Sequence, residues 1–233
     1  MQRKERLKQR SKKASPRATT GTEKAATAKT RDRILDIAER MFAERGYNGT
    51  SVRAVSAGTN VSLGQLQYYF KSKRDLFEAC YFRHGTQITA ERRARLAKVL
   101  SDSGKKPAKI KDLLRAFIEP FMHAAMLEEK FSFIKMHARL NTEPREIADG
   151  IRRAVYDQTT FEFVEALARS LPRLTRQTLC WRVVFVIAAY HYILMRSGRL
   201  EAISKGQCRE DDLERAIEEL IPFLEHGLTA PTK

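Results

Sequence analysis

Between residues 30 and 46 the apolar side chains fall at Ile34, Ile37, Ala38, Met41 and Phe42, a three-and-four spacing that gathers them on one face of a helix. Thr30 is placed to cap that helix and Gly46 to end it, although Arg33 stands where a full capping box has Glu. A second helix is expected over 51–58, capped by Thr50, with Val52 and Val55 facing inward. Thr59, Asn60, Val61 and Ser62 then turn the chain, and Asn tolerates the left-handed backbone a tight turn needs. Ser62 caps a third helix over 63–69. After a polar turn at Lys71 and Ser72 a long fourth helix starts near Lys73, with Leu76, Phe77 and Cys80 inside.

Beyond Gly104 and Pro107 helical periodicity continues, and no stretch alternates like a strand or carries a hairpin turn. Helices are expected over 108–126, 128–140, 143–170, 175–197 and 210–225, with Pro144 in a first turn and Gly198 and Gly227 as terminators. The fold class is therefore all-α, with a three-helix helix-turn-helix module followed by a larger helical domain. No internal repeat or phosphate-binding loop interrupts it.

Composition narrows the function. A hydrophobic fraction of 42% with 31% charged residues is the balance of a globular chain. The apolar run 183–194 is broken by His191 and flanked by Arg182 and Arg196, too short to span a bilayer, so it reads as a buried helix and no membrane partner is expected. The first residues lack the apolar stretch of a secretory signal, which makes the cytoplasm the expected location. Cys80, Cys180 and Cys208 are too scattered for a disulfide framework or a zinc site, and neither metal nor cofactor is expected. No nucleophile with its base, carboxylate pair or cofactor loop stands out, so an enzyme is not expected. The net charge of +16 points to a polyanion. Part of it lies in residues 1–28, where nine Lys or Arg face only Glu5 and Glu23; this stretch is expected to be a disordered basic arm, either a solubilising tail or a phosphate-contacting one.

Two short helices joined by a four-residue turn, the second polar outside, have the geometry of a DNA reader. Gln65 and Gln67 can bond base edges in the major groove, adenine above all, and Gly64 lets the backbone come close. Arg53 can pair with guanine. Thr50, Ser51, Tyr68, Tyr69 and Lys73 suit phosphate contacts, which position the helix without reading sequence. Ser62 and Leu63 complete the expected DNA-binding set. The rival is a non-specific nucleic-acid or nucleoid protein, which would lose affinity for all duplexes alike as salt rises.

These residues carry a family resemblance. Phe42 with Gly46, Tyr47 and Thr50, then Val61, Ser62 and Gly64, then Leu66, Tyr69, Phe70, Lys71, Ser72, Lys73, Leu76 and Phe77 resemble the DNA-binding domain of the TetR family of repressors. Asn60 where Gly is common, Gln67 for an aromatic and Leu63 for a polar residue depart from the pattern. The resemblance implies a homodimer on a palindromic double-stranded operator and a repressor released by a small apolar effector. It implies domains over 29–75 for DNA binding, 76–228 for effector binding and dimerisation through the last two long helices, and a tail over 229–233. The segment around Trp181, Arg182 and Phe185 is also similar to repressors that answer to fatty acids or acyl-CoA.

Flexible Met and flat aromatic rings suit an adaptable apolar pocket. Phe117, Phe121, Met122, Phe133, Met136, His137, Phe161, Trp181 and Phe185 are the expected ligand-binding residues, although the same residues at helical spacing also make ordinary core. His123, His137 and His191 can orient a polar head group.

Overall fold

The computed structural model describes residues 21–231, with side chains from residue 25 onward; most of the expected basic arm and the last two residues lie outside the described part. Eleven α-helices and no strand occur among the described residues. They are α1 (Gly21–Gly49), α2 (Val52–Thr59), α3 (Leu63–Tyr69), α4 (Lys73–Ser103), α5 (Ile110–Ala124), α6 (Phe131–Arg139), α7 (Arg145–Ile151), α8 (Asp157–Ser170), α9 (Arg176–Met195), α10 (Arg199–Ser204) and α11 (Leu213–Thr229).

The first helix starts earlier than expected, so residues 21–28 are helical rather than part of a disordered arm. Thr30 lies inside it, its hydroxyl donating to the Ala26 carbonyl one turn back, and caps nothing. The helical path breaks at Gly46, whose φ of 69° and ψ of −178° are open mainly to glycine. Ser51, not Thr50, caps α2, accepting from the Ala54 amide. Asn60 turns the chain with φ 54° as expected.

Helices α1 to α3 form the small module, and α4 runs out of it for 31 residues to pack along α5 and α8. The expected boundary at 75/76 thus falls inside one continuous helix. The core is also continuous: Phe42, Phe77, Tyr81 and Phe133 follow one another at ring spacings of 4.9, 5.1 and 5.9 Å. Aromatic contacts of this kind couple the module to the helices behind it.

The expected helix over 143–170 is divided by a π-helical turn, Arg152–Tyr156, between α7 and α8. Gly85 on α4 lies against that turn; a Cβ there would meet Val155 at 2.9 Å and the Tyr156 hydroxyl at 3.2 Å. Helix α10 was not foreseen, and Gly227 lies within α11 instead of ending it, since glycine is tolerated in a helix at a modest cost. The expectation that 183–194 is a buried helix is only half right. Leu179, Val183, Val186, Tyr190 and Leu194 of α9 are buried, whereas Trp181, Val184, Phe185, Tyr192 and Met195 are exposed. By length and composition α9 is also able to cross a membrane.

Candidate nucleic-acid interface

The α2–turn–α3 unit is held by short local bonds. The Ser62 hydroxyl accepts from the Gln65 amide at 3.2 Å while the Gln65 side-chain oxygen accepts from the Ser62 amide at 3.4 Å, a reciprocal capping box. Ser56 donates to the Val61 carbonyl at 2.6 Å and ties the turn to α2. Inside, Val55, Leu66 and Phe70 anchor the two helices on α1.

This arrangement leaves one polar face open. Gln67 and Arg53 are exposed, and neither side chain makes a hydrogen bond or ion pair among the described residues. Tyr68 is 81% exposed at the end of α3, edge-on to the half-buried Tyr69. Ser51 and Gly64 are exposed, and a Cβ added at Gly64 would meet no atom of the described residues within 4 Å, so none of them requires glycine there. Leu63 is half-buried. Gln65 keeps only its amide nitrogen free, because its oxygen is committed to the cap.

Two expected phosphate contacts have other partners. Thr50 is 2% exposed, and its hydroxyl donates to the carbonyls of Met41 and Gly46, so it braces the end of α1. Lys73 donates to the carbonyls of Tyr47 and Thr50 at 3.0 and 3.2 Å and sits 4.2 Å from the centre of the Tyr47 ring. It satisfies carbonyls left open by the break at Gly46, a positioning role that its sequence context did not reveal.

A second set of bonds reaches the module from behind. The Tyr47 amide donates to Glu143 at 2.9 Å, and Arg139 at the end of α6 donates to the Glu44 carbonyl at 3.1 Å. On the other side Arg83 of α4 bonds Asp36 at 2.5 Å and lies near the buried Glu39, which also faces His84 at 3.4 Å. The end of α1 is therefore gripped by α4 and by α6.

Of the expected ligand-binding residues, Phe117, Phe121, Met122, Phe133, Met136 and His137 meet in the interior of the helices behind the module. Phe121 stacks on His137 with ring centres 4.0 Å apart, and Phe117 stacks on Phe163 at 4.2 Å. Phe161, Trp181 and Phe185 do not join them: they are 62%, 60% and 59% exposed, on the outward faces of α8 and α9. Arg182 instead holds the end of α11, donating to the Leu228 and Ala230 carbonyls. Of the three histidines His123 is exposed, while His137 and His191 are buried. Sequence reasoning missed Arg92, Tyr156 and Tyr190, which share that interior. Arg92 carried a signal, since Phe77, Tyr81, Ile88, Arg92 and Leu96 make a stripe at helical spacing and all are buried.

Comparison with known proteins agrees with this geometry. The family model for bacterial regulatory proteins of the tetR family matches residues 34–80, and that for the tetracyclin repressor-like C-terminal domain matches residues 115–227. The chain is 27% identical over 189 residues, 78% of its length and 94% of the relative's, to the biofilm operon icaADBC negative transcriptional regulator IcaR of Staphylococcus aureus. Over 74 residues, 32% of this chain and 35% of the other, it is 38% identical to the transcriptional repressor AcnR of Corynebacterium glutamicum. Among solved structures, a TetR-like regulator from Rhodococcus sp. RHA1 superposes with a TM-score of 0.55 at 21% identity, covering 87% of this chain and 97% of that one. The hemolysin II regulator HlyIIR superposes with a TM-score of 0.58 at 16% identity, covering 84% and 98%.

Proposed function

The chain belongs to the TetR family and is a sequence-specific DNA-binding transcriptional repressor, and we propose that it works as a homodimer whose two copies of α3 enter successive major grooves of a palindromic operator. The observation that carries the reading is the open face of α3, with Gln67 unpaired, Tyr68 exposed and free space above Gly64. Gln67 and the Gln65 amide nitrogen offer hydrogen bonds to bases, Arg53 offers a fork to guanine, and Ser51, Ser62, Leu63, Tyr68 and Tyr69 rest on the backbone. Lys73 and Thr50 hold the module in shape for that contact.

The second copy covers α9 and α11. A helix apolar on every side needs cover on every side, and α9 is covered within the chain on one side only. Phe185, Val184, Tyr192 and Met195 of α9, with Phe223 of α11, form the face left for the partner. Such a regulator acts at the chromosome, in the bacterial cytoplasm.

The interior ring cluster of Phe117, Phe121, Met122, Phe133, Met136 and His137 is the effector site, and the effector is a small molecule with an apolar body. Helices α4 and α6 transmit its binding, because α6 carries Met136, His137 and, within the same turn, Arg139, which is bonded to α1. An effector that favours a shifted α6 lowers operator affinity by the factor by which DNA lowers effector affinity. Small shifts suffice, since half-sites lie about 34–36 Å apart. Selection of bound sequences from random duplex DNA tests the reading: the expected result is an enriched inverted repeat, and an unenriched pool would point to non-specific binding instead.

A further inference from the structure

Arg92 is 3% exposed, yet it makes no ion pair among the described residues, while its neighbours on α4 do: Arg83 pairs with Asp36, Arg93 with Glu162, and Arg95 with Glu91 and Glu119. Its guanidinium donates to the Phe117 carbonyl at 2.6 Å and to the Tyr190 hydroxyl at 3.2 Å, and lies 3.9 and 4.3 Å from the centres of the Phe117 and Phe121 rings. Neutral acceptors and ring faces ease the burial of a cation without cancelling its charge.

Two further groups in the same cluster are incomplete. Arginine only donates, so the Tyr190 oxygen accepts from Arg92 and the hydroxyl hydrogen is free for His191 Nε2, 3.1 Å away. The proton of His191 then sits on Nδ1, which is buried and has no partner among the described residues. His137 bonds Tyr156 through Nδ1 at 3.2 Å, and its buried Nε2 likewise has no partner among the described residues. The two imidazole rings are 4.5 Å apart, and burial keeps both neutral, His137 well below the usual histidine range. Tyr156 reaches His137 from the π-helical turn, a local irregularity frequent at functional sites.

We propose that this cluster, Arg92 with His191 and His137, seats the carboxylate of an effector whose aryl or short aliphatic tail lies among Phe117, Phe121 and Phe163. The inference rests on the reading of these helices as an effector domain and gives the effector its charge. A planar guanidinium matches the two oxygens of a carboxylate, and in a dry site the charge-assisted bond is strong. The route in is a crevice between α4, α5 and α8 that ends on Arg92, lined by Leu96, Leu113, Phe117, Thr159 and Phe163. Its volume is about 10 Å³, room for one water, and the Arg93–Glu162 pair spans its mouth. Entry of the acid therefore parts the Phe117–Phe163 stack and moves α5 against α8, which gives it a different affinity for the closed and opened forms.

The test is calorimetric titration of the full-length protein with 4-phenylbutyrate, decanoate and the neutral isostere 4-phenylbutanamide, on the wild type and on Arg92→Met. The expected result is that a carboxylate binds, that the amide binds at least tenfold more weakly, and that Arg92→Met reduces the acid to the level of the amide without changing the amide. Equal binding of acid and amide, an acid affinity untouched by Arg92→Met, or no binding of either acid overturns the proposal. If neutral apolar probes alone bind and release operator DNA, the effector reading survives without its carboxylate; if no probe binds or releases, both fall. Should Arg92→Met fail to fold, His191→Gln gives the same readout, with a smaller selective loss of the acid expected and an unchanged preference overturning the idea.

Discussion

A Cβ at position 64 meets no atom of the described residues within 4 Å, so Gly64→Ala separates folding from DNA contact. Alanine is favoured over glycine in a helix by roughly 0.5–1 kcal/mol. The variant is expected to melt at the same denaturant concentration or higher and to bind operator at least tenfold more weakly; undiminished binding would show that no groove approaches this backbone. His191 gives a pH signature. Burial, aided by the charges of Arg92 and Arg152, pushes its pKa down to about 4. The unfolded chain takes that proton near 6.5, so stability is full at pH 7, falls as the pH drops from 6.5 toward 4, and levels off below. His191 alone removes about 2 kcal/mol between pH 7 and 5, and His137 adds to the loss in the same direction. Urea melts across that range check this, with a flatter slope expected for His191→Gln; a wild-type midpoint that stays constant contradicts it. Residue types at this scale were partly legible. Gln67 and Gly64 announced an open polar face, but Arg92 looked like any solvated arginine in a charged stretch, and only its place on the apolar stripe set it apart. The backbone carbonyls that engage Thr50 and Lys73 come from a break in α1, and no side-chain pattern specifies those.

Among the elements, α9 carries the clearest consequence. Its outward Val184 and Phe185 lie on the face assigned to a second copy, and that face is otherwise open. Phe185→Glu sets a charge in the apolar contact, where burial without a partner costs several kcal/mol. Sedimentation of the variant is expected to give a folded monomer that no longer holds a palindromic duplex tightly, whereas a dimer of wild-type strength would move the interface elsewhere. The ends of α2 and α3 and the start of α4 were read close to their true positions because caps and turns mark them: Ser62, Asn60 and Ser72 each do what their chemistry suggests. Weaker signals misled. Residues 21–28 hold Ala, Lys and Glu, good helix formers without an apolar stripe, so propensity alone extends α1. The π turn is invisible in a pattern that merely slips by one residue, and α10 is too short for periodicity to show.

At the scale of the whole molecule, two routes connect the ring cluster with the reading helix. Helix α4 is continuous from Lys73 to Arg92 and beyond, and α6 passes from His137 to Arg139 at the end of α1. The all-α order and the place of the module were legible from the sequence. The second route was not, because it depends on which loop lies beside Gly46 after folding. Selective binding by a symmetric pair is measured directly by titrating the full-length protein with its selected inverted repeat and with a scrambled duplex of equal length at physiological salt. Two chains per duplex and a preference of at least about a thousandfold are predicted; one chain per duplex, or equal affinity for the two sequences, contradicts it.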